Sequence, residues 1–197
     1  MQHQARAMMQ RFIAASILFV VLVVGPACRS KQSQGSSAGG ASADTLPQAV
    51  GSVVAIDQAG LKQLLQQRNG KILFLNIWAT WCAPCVEEFP DLVRLAGSYK
   101  SDEVEFVGIS ADYPDEVDSK ILPFVRKQRV PFRIYVASFN HQEDFINAVN
   151  PSWSGALPAT MIVDPSGRQM FFRVGAGTFG MFKSSLDSIL YSRKGTS

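Results

Sequence analysis

The chain has 197 residues, and its 47% hydrophobic and 18% charged residues are typical of a protein that buries an apolar core. Its 19 lysines and arginines outnumber its 16 aspartates and glutamates by three, and two of these arginines, Arg6 and Arg11, lie in the first 27 residues. The remainder therefore carries a net charge of about +1 and no lysine- or arginine-rich patch, which argues against nucleic acid or another polyanion as a partner.

The first 27 residues have the composition of a targeting segment. The two arginines precede residues 12–24, which are almost wholly apolar, and small residues then lead to Cys28. This order predicts a secretory signal peptide over residues 1–27. The apolar core of 13 residues is short for a membrane span, which needs about 20 residues, so an uncleaved anchor is the weaker alternative.

The residues before Cys28 resemble the lipobox of bacterial lipoproteins, in which the cysteine is acylated and becomes the mature N-terminus. The resemblance implies a lipid anchor at Cys28. Gly25 stands where such boxes usually carry an aliphatic residue, so ordinary cleavage without acylation stays open as an alternative.

Residues 28–50 separate this segment from the rest of the chain. They are rich in Ser, Gly, Ala and Gln without apolar periodicity, which predicts a flexible linker. A linker of about 22 such residues has a typical end-to-end distance of roughly 25 Å, enough to hold a domain near a membrane but clear of it. Residues 51–197 have the length of one domain.

Within this domain the apolar pattern alternates between strand and helix periods. The strand-helix-strand order predicts parallel pairing, whereas the turn Asp164-Pro165-Ser166-Gly167 predicts that the last two strands form an antiparallel hairpin. The predicted elements, in chain order, are a strand over Val53–Ile56, a helix marked by Leu61, Leu64 and Leu65, a buried strand over Ile72–Trp78, a helix marked by Phe89 to Tyr99, a strand over 104–109, a helix over 117–128 despite Pro123, a strand over 132–136, a helix over Gln142–Val149, strands over 160–163 and Gln169–Val174, and a last helix marked by Phe182 to Leu190.

The strongest chemical signal is Cys82-Ala83-Pro84-Cys85, which follows the predicted buried strand and opens an amphipathic stretch. Residues three apart on a helix lie on one face, so two thiols at this spacing can bond or separate without refolding. Unpaired N–H groups and the positive end of the helix dipole favour a thiolate at the helix start. We therefore expect Cys82 to be the nucleophile and Cys85 the resolving thiol of a redox-active disulfide, with no other cofactor.

Other interpretations of the cysteine pair are weaker. A structural bridge that closes only two intervening residues constrains the unfolded chain little. A zinc site needs further ligands, and the two histidines of the chain are His3, in the predicted signal peptide, and His141, which lies near a predicted helix start. Copper transfer would also require a nearby histidine, and a peroxidase would carry a threonine-containing motif at its reactive cysteine. We expect no metal site.

The run Trp78-Ala79-Thr80-Trp81-Cys82-Ala83-Pro84-Cys85, with the later Leu157-Pro158-Ala159-Thr160, resembles the thioredoxin superfamily, and most of all its TlpA/ResA-like branch of membrane-tethered thiol-disulfide oxidoreductases. The likeness spans about residues 50 to 195 and implies an α/β, thioredoxin-like fold with a central mixed sheet and helices on both faces. Pro90 matches the proline inside the active-site helix of that superfamily. Pro158 matches the cis-proline that faces the disulfide, and Leu157 before it would offer its backbone to a substrate peptide in strand-like pairing.

The resemblance also implies a residue for proton transfer. Asn76 stands where cytosolic thioredoxins carry a buried aspartate, and a neutral amide is not a general base. In the TlpA/ResA-like branch a glutamate three residues after the second cysteine is often assigned this work, and Glu88 has that place, one helical turn past Cys85. The alternative is that Glu88 is a solvated helix carboxylate.

Three tryptophans lie near these motifs. Trp81 and Pro84, on either side of Cys82, are candidate substrate contacts, whereas Trp78 is expected in the core. Trp153 lies in the loop that leads to Pro158 and either forms a wall of the substrate groove or packs within the loop.

These features predict an extracytoplasmic lipoprotein of the bacterial cell envelope that exchanges thiols and disulfides with exported proteins. The resemblance implies a reductase, for example in cytochrome c maturation, that is recharged by a transmembrane thiol electron-transfer protein. An oxidase remains an alternative, because the Ala83-Pro84 pair does not set the direction. A second alternative is a tethered client-binding or chaperone-like module with incidental redox activity.

Overall fold

The computed structural model describes residues 52–194, so the predicted signal peptide, Cys28 and the predicted linker over residues 28–50 lie outside the described residues. The strands in this part are β1 (Val53–Ile56), β2 (Ile72–Trp78), β3 (Val104–Ser110), β4 (Arg133–Ala137), β5 (Ala159–Val163) and β6 (Gln169–Val174). The α-helices are α1 (Gln58–Gln66), α2 (Ala83–Ala96), α3 (Leu122–Gln128), α4 (Gln142–Val149) and α5 (Phe179–Lys194). Between residues 52 and 194, no helix combines the length and the apolar character that crossing a membrane requires.

The six described strands form one mixed sheet in the order β1, β4, β3, β2, β5, β6. The pairs β1 with β4, β3 with β4 and β2 with β3 are parallel. A helix connects each of the first four strands to the next one in the chain, which allows all four to run in the same direction. The strand β5 is antiparallel to both β2 and β6, so the predicted hairpin is confirmed.

The sheet carries helices on both faces, as expected. The central strand β2 is buried along its whole length, and its side chains alternate between two apolar clusters. Phe74 and Trp78 join one cluster with α2, α3 and α5, and Leu75 and Ile77 join the other with α1 and α4. The predicted α/β, thioredoxin-like architecture is therefore confirmed.

One predicted helix ends earlier than expected, and another consists of two parts. The helix after the cysteines ends at Ala96, before Tyr99, because Gly97 follows and glycine is a poor helix residue. Residues 117–128 are helical as predicted, with a wider helical turn over Val117–Ile121 followed directly by α3. Pro123 falls in the first turn of α3, a position at which proline is tolerated.

Candidate active site

The cysteine pair lies where β2 leads into α2. A turn follows Trp78, and Cys82 is the residue that caps the N-terminus of α2, with Pro84 in the first helical turn. Cys82 and Cys85 are joined by a disulfide with an S–S distance of 2.04 Å and a Cα–Cα distance of 5.3 Å. Cys82 is 6% exposed and Cys85 is 0% exposed, so an incoming sulfur has access to Cys82 and not to Cys85.

The start of α2 favours negative charge at Cys82. The first N–H groups of a helix have no partner within the helix, and the helix dipole places its positive end there. No acidic residue lies in the first turn of α2 to neutralise this end. The local backbone therefore stabilises a thiolate on Cys82 once the disulfide is opened.

A buried carboxylate, Asp112, fixes the turn that presents Cys82. Asp112 accepts hydrogen bonds from the backbone N–H of Thr80 at 2.9 Å, from the Thr80 hydroxyl at 2.6 Å and from the Ser110 hydroxyl. The backbone N–H of Ala111 also donates to the carbonyl of Trp78 at 2.7 Å. The end of β3 therefore holds the turn after β2 in place. This role of Asp112 was not predicted, although Ser110 and Asp112, two polar residues just after a predicted strand, were a usable signal.

Glu88 is buried behind the cysteine pair. Its side chain lies one turn past Cys85 on α2, and the residue is 5% exposed, which rules out the solvated helix carboxylate. One carboxylate oxygen, Oε1, accepts a hydrogen bond from Asn76 Nδ2 at 2.9 Å, and Oε2 accepts one from the backbone N–H of Gly177 at 2.8 Å. Asn76 Nδ2 also donates to Thr160 Oγ1 at 3.1 Å. Strands β2 and β5, helix α2 and the loop before α5 thus converge on one carboxyl group.

Burial raises the pKa of Glu88 above its ordinary value, because the charged form loses its hydration. The hydrogen bonds from Gly177 and Asn76 and the positive charge of Arg173 oppose this rise, and the negative charge of Asp91 adds to it. The neighbouring Glu87 is exposed. A buried carboxyl group with a raised pKa is a candidate for a functional role, because such groups cluster at functional sites.

The predicted cis-proline lies beside the cysteine turn. The Leu157-Pro158 peptide bond is cis. Strand pairing places Ala159 opposite Ile77, so Pro158 stands next to the end of β2, from which the cysteine turn departs. The carbonyl of Pro158 accepts a hydrogen bond from the backbone N–H of Gly175 at 2.8 Å, and Leu157 is half-buried.

The three tryptophans occupy different environments. Trp81, next to Cys82, is 66% exposed, and Pro84 is also exposed, so both can meet a substrate. Trp78 is fully buried, as expected. Trp153 is 5% exposed, packs edge-on against Phe145 and donates from Nε1 to the carbonyl of Ala156 at 2.9 Å. The structure therefore places Trp153 as packing for its loop and not as an open wall of a groove.

Among the described residues 52–194, no group of three or more His, Cys, Asp or Glu side chains is arranged to hold a metal ion. His141 caps the N-terminus of α4 and is exposed.

The sequence is similar to those of known proteins. A sequence model of the AhpC/TSA family matches residues 45–168. The chain belongs to this family of the thioredoxin superfamily. The thiol-disulfide oxidoreductase ResA of Geobacillus kaustophilus is 32% identical to it over 136 residues, which are 69% of this chain and 73% of that protein. ResA of Geobacillus thermodenitrificans is 30% identical over 136 residues, with the same coverage of 69% and 73%.

Solved structures agree with the family. The thiol:disulfide interchange protein of the thioredoxin family from Chlorobium tepidum TLS has a TM-score of 0.53 and 26% identity, over 62% of this chain and 81% of that chain. The predicted thioredoxin-superfamily membership and the predicted enzyme class are thereby confirmed, and the chain is a protein thiol-disulfide oxidoreductase. Its substrates are protein thiols or disulfides.

Proposed function

We propose that this thiol-disulfide oxidoreductase is an extracytoplasmic reductase in which Cys82 attacks a substrate disulfide and Cys85 resolves the product. The observation that carries the assignment of the two thiols is the asymmetry of the pair. Cys82 sits at the positive end of α2 with 6% of its surface exposed, whereas Cys85 is 0% exposed. A nucleophile needs access and a stabilised thiolate, and a resolving thiol needs only to reach its partner.

The exchange proceeds in two balanced steps. The Cys82 thiolate attacks one sulfur of the substrate disulfide, forms a mixed disulfide and releases the second substrate sulfur as a thiolate. The Cys85 thiolate then attacks Cys82, re-forms the Cys82–Cys85 disulfide and releases the first substrate sulfur. The substrate gains two electrons from the enzyme and one proton that Cys85 gives up, and the sulfur released first as a thiolate takes its proton from the solvent.

Glu88 supplies the proton step at Cys85. A thiol is a poor nucleophile, so Cys85 has to lose its proton before it resolves the mixed disulfide. The Glu88 carboxylate is the buried base one helical turn away, and Asn76 and Gly177 hold it there. Glu88 takes the proton from Cys85 and later passes it to the departing substrate sulfur.

The substrate groove consists of Trp81, Pro84, Leu157 and Pro158. The exposed Trp81 and Pro84 flank Cys82 in the sequence, and Pro158 lies beside the end of β2. A substrate peptide in extended form pairs with the backbone of Leu157, which places its cysteine against Cys82. Trp153 supports this loop from the core side.

We place the enzyme on the outer side of a bacterial membrane through residues 1–50, with residues 1–27 as the signal peptide, Cys28 as the acylated residue and residues 28–50 as the linker. The support is the sequence pattern of basic, apolar and small residues before Cys28. Labelling of cells with a radioactive or clickable fatty acid is expected to mark the native protein and to leave Cys28→Ser unmarked. Label that persists in Cys28→Ser would exclude the lipid anchor.

The reductase direction agrees with the charge behind the cysteines. In a strong oxidant, the surroundings stabilise the reduced form of the cysteine pair. A carboxylate near Cys85 has the opposite effect, because it disfavours a second negative charge on the reduced pair. In an oxidising compartment such a reductase must be recharged by a dithiol donor, for which a transmembrane thiol electron-transfer protein is suited. The proposed client is a disulfide in apocytochrome c, whose two cysteines must be free thiols before haem attachment.

The reduction potential of the Cys82/Cys85 couple tests the direction. We expect equilibration with glutathione or dithiothreitol to give a value close to that of thioredoxin, about −270 mV. A value near about −120 mV, typical of a strong disulfide-forming oxidant, would overturn the reductase assignment while leaving the exchange chemistry intact.

A further inference from the structure

The loop between β6 and α5, together with the first residue of α5, makes three backbone contacts to the site. Three amides within five residues point at different parts of it. Gly175 N–H donates to the carbonyl of Pro158, Gly177 N–H donates to Glu88 Oε2, and Phe179 N–H donates to Asp91 Oδ2, each at 2.8 Å. The loop thus joins the cis-proline segment to the buried carboxyl group.

We propose that Gly177 is a positioning residue for thiol-disulfide exchange, whose backbone N–H holds the Glu88 carboxylate in place and stabilises its negative charge. This inference rests on the proposed proton-transfer role of Glu88. A hydrogen bond from a neutral N–H to a carboxylate favours the charged form, and it is stronger in a dry site than in water. Without it, the buried Glu88 would keep its proton and would not accept one from Cys85.

The residue has to be glycine because of space and not because of its backbone angles. A Cβ at position 177 would lie 2.2 Å, 2.6 Å and 2.7 Å from three ring carbons of Phe182. Phe182 is fully buried and packs edge-on against Phe74 and Phe171, so its ring has no room to move aside. Any side chain at position 177 therefore moves the loop, and the amide moves with it.

The same loop also places a positive charge toward Glu88. The Arg173 guanidinium donates to the carbonyl of Ala176 at 3.3 Å and 3.1 Å, which ties this side chain of β6 to the loop. The other groups that act on Glu88 are Asp91 on its own helix, which is negative, and Asn76 on β2, which is neutral. Displacement of the loop removes a hydrogen bond and weakens an attraction, and both changes raise the pKa of Glu88.

The test compares Gly177→Ala with Gly180→Ala. Gly180 is exposed on α5, and a Cβ there meets nothing within 4 Å, so it controls for the substitution itself. Two quantities are measured against pH: the carboxyl ¹³C shift of Glu88 by NMR, and the rate at which the mixed disulfide is resolved. In Gly177→Ala we expect the Glu88 titration and the acid limb of the rate to move to higher pH by about one unit, the effect of losing much of a charge-assisted hydrogen bond. Gly180→Ala is expected to move neither.

A double variant separates positioning from general damage. Gly177→Ala with Phe182→Leu removes the ring that a new Cβ would strike, and it is expected to return the titration toward that of Phe182→Leu alone. This pair also serves if Gly177→Ala alone does not fold. A Glu88 titration that is the same in Gly177→Ala as in the native protein would overturn the inference.

Glu88→Gln distinguishes the two proposals. If Glu88→Gln moves the acid limb away from the pKa of Glu88 and Gly177→Ala leaves the limb at its native pH, only the role of Gly177 is overturned. If Glu88→Gln leaves the limb unchanged, the proton-transfer role of Glu88 fails, and the role of Gly177 in exchange fails with it.

Discussion

Replacing Cys82 by serine is expected to lower the rate of insulin disulfide reduction by more than about a thousandfold, the scale of loss when a covalent nucleophile is removed. A serine hydroxyl does not ionise near neutral pH, so the helix start has no thiolate to stabilise. Cys85 is fully buried and does not take over the attack. The measurement is turnover with dithiothreitol as the electron donor.

Replacing Cys85 by serine gives a different result, which identifies the order of the two thiols. Cys82 still attacks, but no second thiol resolves the product, so a mixed disulfide with the substrate accumulates. Non-reducing electrophoresis or intact mass spectrometry detects it. Cys28→Ser is the matched control for loss of a cysteine, and it is expected to retain turnover. Equal activity in Cys82→Ser and in the native protein would refute Cys82 as the nucleophile. If the mixed disulfide accumulates in Cys82→Ser and not in Cys85→Ser, the roles of the two cysteines are reversed.

Local sequence patterns predicted the strand and the helix that present the cysteines, because strands and helices depend on residues that are close together in the chain. The unbroken apolar run of β2 and the turn between β5 and β6 carried their own signals, and both elements match the structure. The end of α2 was missed, since Gly97 acts within one turn and the apolar period continues past it to Tyr99, whereas residues 117–128 are helical as predicted.

The supporting contacts of the site could not be predicted in this way. Asp112 is 32 residues from Thr80 and Gly177 is 89 residues from Glu88, so these hydrogen bonds exist only once the sheet has brought the segments together. Trp153 was ambiguous for the same reason, because its burial depends on Phe145 from α4 and not on its own loop sequence. The reactive residues of the site could therefore be predicted from the sequence, whereas the groups that orient them could not.

Glu88→Gln is expected to slow resolution of the mixed disulfide by about a hundredfold or more, the usual contribution of a general base. Gln has nearly the same shape but accepts no proton, so Cys85 has to lose its proton to water through a closed interior. The native rate is expected to fall as the pH falls through the raised pKa of Glu88, because the protonated acid is no longer a base. In Glu88→Gln the rate is expected to follow the ionisation of the Cys85 thiol itself, so the limb leaves the pKa of Glu88 and moves to higher pH. Stopped-flow measurement of resolution against pH checks both.

The stability of Glu88→Gln separates its chemistry from its packing. Burial raises the pKa of Glu88 above 4.5, so the folded protein binds this proton more tightly than the unfolded chain does. The resulting stabilisation is present below pH 4.5 and is lost as the pH rises through the folded-state pKa, which leaves a cost of burying the charge at neutral pH.

Glu88→Gln removes this charge. Thermal unfolding is therefore expected to show that the stability of the variant declines less between pH 4.5 and neutral pH than the stability of the native protein does, while thiol-disulfide exchange is slower in the variant. Glu87→Gln, which alters the exposed neighbour, is expected to change neither quantity. If Glu88→Gln exchanges slowly and is destabilised to the same extent at every pH, Glu88 acts through packing. Loss of a base alone slows the proton step without lowering the stability of the fold.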